Sequence, residues 1–146
     1  MAFRFSLAAV LTYREALEQR ELAALERVQQ EIALLEKQIQ DAESNLRLLE
    51  QQREEELKRG MRSIHLQDAI EREHTALQLQ KELAKRCADL RIKRQGILNA
   101  YEEARQKRTL LEKLRERKLH EYTREQAKAE QTMIDDLFLS RWKPSQ

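Results

Sequence analysis

Chain breakers are almost absent. Two glycines and one proline occur in 146 residues, too few to turn the strands of a sandwich or a barrel. Gly60 and Gly96 stand too far apart to form a phosphate-cradling loop, which excludes a glycine-rich nucleotide site. The single cysteine, Cys87, leaves no disulfide framework. No run approaches the ~20 apolar residues of a membrane span. The apolar opening ends at Leu11, and Arg14 and Glu15 follow it, so it is too short for a signal peptide. The expectation is a cytoplasmic protein without membrane insertion. Aromatics make up 5% of the chain and none lies between Tyr13 and Tyr101, so no large aromatic core can form in the middle.

Charge is what the sequence has in excess. Lys, Arg, Asp and Glu reach 37%, against about a quarter in an ordinary domain. The signs nearly cancel, to +2, and apolar residues still reach 40%. Their arrangement is periodic, which argues against disorder. Leu25, Val28, Ile32, Leu35, Ile39, Ala42, Leu46 and Leu49 recur at alternating steps of three and four, an unbroken heptad seam. Phe3, Leu7 and Val10 start a similar stripe, which crosses a polar stretch at Arg14, Glu18 and Glu21. The spacing predicts a first helix over about 6–57. A turn follows over about 58–63, where Lys58 and Arg59 precede Gly60 and Ser63 offers an N-cap. A second helix is predicted over about 64–140. Its stripe is read at Leu66, Ile70, Leu77, Leu83, Cys87, Leu90, Ile97, Tyr101, Ala104 and Leu111, with polar insertions at Glu73, Gln80 and Arg94. Pro144 ends the chain in a tail over 141–146.

The fold class is therefore all-α: one antiparallel two-helix coiled-coil hairpin over 1–146, with a longer second helix. Residues 1–60 carry 9 basic and 12 acidic groups, a net of −3, and residues 61–146 carry 19 and 14, a net of +5. The two arms thus favour each other over self-pairing, weakly, because rim charges are screened. A reversal centred near residue 61 places Phe3 opposite Leu119. Residues 120–140 then project beyond the first helix by roughly 30 Å. A heptad-like spacing runs from Leu119 into the projection through Tyr122, Gln126, Ala129, Met133 and Leu137, and Ile134 and Phe138 widen it. Such a stripe needs a second molecule to cover it.

Catalytic arrangements are not readable. Glu71 and His74 share a helix face, but a di-iron bundle needs a second such pair and two more glutamates. Asp135 and Asp136 diverge by about 100° on a helix and cannot share a proton. No enzyme activity, cofactor, metal site or small-molecule substrate is expected. The run from Lys81 to Lys118 holds 13 basic and 6 acidic residues, net +7. A nucleic-acid binder would want such a stripe. It has one aromatic, Tyr101, and no forked basic-region helix, so it would support only non-specific binding. A self-associating scaffold and a nucleic-acid-binding hairpin are the alternatives to a partner-gripping stalk.

The two ends of the chain carry a resemblance. The opening FRFSLAAVLTYRE of residues 3–15 and the Glu/Gln-rich heptad helix after it resemble the FliJ family of flagellar export proteins. So do LEKLRER at 111–117, MIDDLF at 133–138 and the Trp142-Lys143-Pro144 tail. The resemblance implies a stalk similar to the central stalk of rotary ATPases, at the cytoplasmic face of the inner membrane in a type III export apparatus. It implies three partners: the hexameric flagellar export ATPase, whose ring takes the terminal end, the export-gate membrane protein, and the export chaperones. By analogy Phe3, Phe5, Leu7, Tyr122, Met133, Leu137 and Phe138 fall at the ring end. Leu46, Leu49, Leu66, Ile70 and Leu77 would face the gate. The stalk of a virulence-type secretion ATPase is a close variant of the same reading.

Overall fold

Helix-favouring Glu, Gln, Arg, Lys, Ala and Leu fill both long segments, and both are helical throughout. In the computed structural model, which describes residues 2–142, α1 spans Ala8–Arg59 and α2 spans Ser63–Arg141. The two pack against each other as an all-α hairpin, and there is no strand among the described residues. Residues 143–146 of the expected tail lie outside the described residues.

The helix ends follow from backbone bonding. Ala8 N–H bonds the Phe5 carbonyl in a turn, and Leu11 N–H bonds the Leu7 carbonyl. Helix α1 therefore begins two residues later than residue 6, because Ser6 and Leu7 form a turn before it. At the far end Lys58 and Arg59 occupy the last turn, where cations suit the negative pole of the helix. Gly60 takes φ +86°, the left-handed conformation that stops a helix and favours glycine. The first bond of α2 runs from Leu66 N–H to the Arg62 carbonyl. Arg62 thus holds the cap position, and Ser63 is already the first helical residue.

Contacts group the chain into two units: Glu21–Tyr101, and Met1–Arg20 with Glu102–Gln146. In the first, Val28, Ile32 and Cys87 form the buried centre, with Leu35, Ile39, Leu90 and Ile97 packed on it. The α2 seam of this unit differs from the expected stripe. Leu66, Ala69, Glu73, Ala76, Gln80, Leu83, Cys87, Leu90, Arg94, Ile97 and Tyr101 are buried or half-buried in a strict three–four alternation, with Leu98 and Ala100 half-buried beside it. The polar insertions are seam positions, while Ile70 and Leu77 are 48% and 39% exposed. For Glu73 the physical reason is pairing: Arg53 Nε faces Glu73 Oε1 at 3.2 Å. A charge with an opposite partner can occupy a seam that a larger aliphatic neighbour does not reach.

The same pair fixes the register. A reversal centred on residue 61 would set Arg53 against Ala69, but it meets Glu73, about one helical turn further. A one-turn offset keeps each seam facing the other, so the apolar pattern alone does not choose between the two registers. The charged pairs select one.

Candidate partner-binding surfaces

The unit formed by Met1–Arg20 and Glu102–Gln146 is held by a short seam with a charged centre. Leu11 and Ala104 are buried, and Arg14, Leu111 and Leu114 are half-buried. Between them Glu18 is buried, and both its carboxylate oxygens accept from Arg108, through Nε and, at 3.2 Å, Nη2. Arg108 Nη1 also donates to Glu112 at 2.6 Å. The hydrogen bond to Glu18 is the main cause holding the guanidinium above its ordinary pKa; burial opposes it, and the charges of Glu18 and Glu112 reinforce it. Glu18, in the polar stretch of α1, is therefore a seam position satisfied from α2.

Beyond this network the non-helical N-terminal segment reaches α2. The Phe3 and Tyr122 rings are 5.6 Å apart and tilted by 48°, within the range of centroid distances at which aromatic pairs attract. Phe3, Phe5 and Tyr122 line one depression with Lys118, Glu121 and Glu125. Phe3 meets Tyr122 rather than Leu119, so the expected pairing is corrected here also by about one turn. The projecting part of α2 begins at Thr123 instead of residue 120.

From Thr123 to Trp142 every residue is exposed. The helical part, to Arg141, is about 28 Å long at ~1.5 Å per residue. Met133, Ile134, Leu137 and Phe138 are 58–67% exposed and, at steps of one and four, share a helix face. Continuing the seam alternation past Tyr122 arrives at Glu125, Ala129, Thr132 and Asp136, which are mostly polar. The large apolar side chains lie off that line. This face therefore does not prolong the hairpin seam. Leu139 and Trp142 are equally exposed and add to the apolar surface. Leu139 escaped the sequence reading because it sits outside the Met133–Phe138 stripe.

The residues of the ring-end set are thus distributed over two places. Phe3, Phe5 and Tyr122 come together, half-buried, beside α2, and Leu7 is exposed at the start of α1. Met133, Leu137 and Phe138 stand on the exposed projection. Of the gate set, Leu46, Leu49 and Leu66 are half-buried in the seam of the other unit, and Ile70 and Leu77 are exposed beside it. No group of three or more His, Cys, Asp or Glu among the described residues is placed to hold a metal. No helix among them is long and apolar enough to cross a membrane.

A family model described as flagellar FliJ protein matches residues 3–146, essentially the whole chain. The chain belongs to the FliJ family. It is a protein of the flagellar export system, and the terminal sequences that resemble FliJ proteins include the exposed apolar face of α2. No curated protein and no solved structure matches the chain.

Proposed function

We propose that this FliJ-family chain is a non-catalytic stalk of the flagellar export apparatus, whose terminal end enters the ring of the hexameric export ATPase. The reading is carried by one observation: an exposed apolar helix face on the final turns of α2, off the line of the hairpin seam. Neighbouring exposed apolar side chains on one helix face mark a protein partner, and an amphipathic helix set into a hydrophobic groove is a recurrent recognition mode. Met133, Leu137 and Phe138 supply the anchors, with Phe3, Phe5, Leu7 and Tyr122 at the base of the projection. An asymmetric helix inside a symmetric ring makes unequal contacts with its subunits. It biases their nucleotide-binding conformations differently, which is a coupling free energy and not a chemical step.

The half of the hairpin next to the turn, at Leu46, Leu49, Leu66, Ile70 and Leu77, faces the export gate, and the chaperones are further partners of the same role. Ile70 and Leu77, being exposed, are the residues of that set free to touch a partner, whereas Leu46 and Leu49 serve the seam. In this role the protein works at the cytoplasmic face of the inner membrane without entering it.

The test is stimulation of the partner ATPase. Full-length chain is expected to raise ATP turnover, and the chain alone to turn over none. A chain ending at Gln126 keeps Phe3 and Tyr122 and loses the apolar face; it is expected to stay helical by circular dichroism and to lose the stimulation. Full stimulation by that truncate overturns the reading. Sedimentation at varied concentration separates it from the scaffold alternative, which requires the projection to join copies of the chain.

A further inference from the structure

The turn between the helices has a composition of its own. No acidic residue lies between Glu56 and Asp68, and Lys58, Arg59 and Arg62 fall in that interval. Lys58 and Arg59 have a local reason to be there, at the negative pole of α1. Arg62 has none. Its carbonyl accepts the first bond of α2, so its charge sits at the positive pole of that helix, and α2 has no acid in its first turn to offset it. None of the three cations makes an ion pair among the described residues. Arg59, Arg62 and His65 line one open depression with Glu56, Asp68 and Arg72. Two aliphatic side chains flank the turn outside the seam: Leu57 is 47% exposed and Ile64 68%. Neither adds to the core, and Ile64 is β-branched at a site where the helix gains nothing from it.

We infer that the turn over 57–65 is a docking site for an anionic lipid surface. Unpaired cations next to exposed aliphatic side chains are the combination that holds a segment at a charged bilayer interface. The nine residues of the turn, without an aromatic anchor, are too few for the ~1,000 Å² that a specific protein interface buries. A lipid surface is flat and deformable and needs no matching cavity. The positive pole of α2 and Arg62 face the same way in this arrangement, so the charge that is unfavourable for the helix becomes favourable against lipid phosphates. The inference concerns the turn alone and does not rest on the ATPase reading.

The experiment is co-sedimentation of the full chain with vesicles of phosphatidylcholine alone or mixed with about one-third phosphatidylglycerol. Binding is expected only to the anionic vesicles and should fall as salt is raised. The triple variant Lys58→Gln/Arg59→Gln/Arg62→Gln should lower partitioning by about 100-fold, several-fold for each charge removed. Ile64→Ser should lower it several-fold and leave the salt dependence. Lys85→Gln/Arg86→Gln/Lys93→Gln removes as many exposed charges from α2 away from the turn and should bind as the unmodified chain does. Equal binding to neutral vesicles, absence of binding to anionic ones, or an equal loss in the control triple overturns the inference. So does turn-dependent binding to polyglutamate without binding to vesicles, which would make the partner an acidic polypeptide. Circular dichroism verifies that each variant is folded. Unchanged ATPase stimulation by the turn variant keeps this outcome separate from that of the stalk proposal.

Discussion

Arg108 occupies a seam position where a coiled coil ordinarily places an aliphatic side chain, and its partner Glu18 is 90 positions away in sequence. Removing one member leaves the other buried without its charge partner, which costs more than the pair itself contributes. Arg108→Ala is expected to destabilise the chain by about 2 kcal/mol, read from urea midpoints. The double change Glu18→Leu/Arg108→Leu should restore or exceed the original midpoint, because an apolar pair has no desolvation cost. It should also loosen the choice of register, seen as a second population in spin-label distances between positions 3 and 122. The guanidinium pKa is raised by folding, so the stabilisation from this group is fully present below its ordinary value. It is lost only as pH climbs through the still higher folded value. Arg108 thus adds no slope to stability between neutral pH and about pH 12. A stability profile that bends on the alkaline side and loses that bend in Arg108→Ala would contradict this.

Two glycines in the helices and their turn test the element scale from opposite sides. Gly60 has φ +86° with nothing within 4 Å of an added Cβ, so an alanine there meets no neighbour but must adopt the left-handed region. Gly60→Ala should cost about 1 kcal/mol. Gly96 is helical and has equally open space; Gly96→Ala should gain about 1 kcal/mol. Opposite shifts in thermal midpoint are the expected result, and shifts of the same sign would mean that the turn is not bonded as described. The first seam was legible because Leu25 to Leu49 carries large aliphatic side chains at nearly every step. The second was not, because its seam uses Ala69, Glu73, Ala76 and Gln80, while larger residues at Ile70 and Leu77 sit beside it. Hydrophobicity ranks residues one at a time. Whether a glutamate belongs in a seam depends on an arginine in the other helix, and single-chain periodicity does not contain that pairing. The register escaped for the same reason. The excess length of α2 was legible, since it needed only a count of residues on either side of Gly60.

Across the whole molecule, stability follows the distribution of buried contacts. Amides near Val28, Ile32 and Cys87, whose side chains are 3–4% exposed, should exchange most slowly with solvent. Those from Thr123 to Arg141 belong to a helix segment with no burial, and most helical stability comes from packing, which this segment lacks. They should exchange fastest among the helical amides. Ending the chain at Gln126 should accordingly leave the thermal midpoint and the labelling rate of the buried Cys87 thiol unchanged. Addition of the export ATPase makes the same measurement a test of function. If the ring grips the exposed face, slow exchange should appear at Met133–Phe138 while the protection around Cys87 stays as it was. Met133→Ser/Phe138→Ser should abolish the new protection and the ATPase stimulation together, with no loss of stability, because neither side chain is buried in the free chain. Protection that arises at Val28 and Cys87 instead, with the projection still exchanging freely, would mean that the partner grips the hairpin elsewhere and that the apolar face has another occupant.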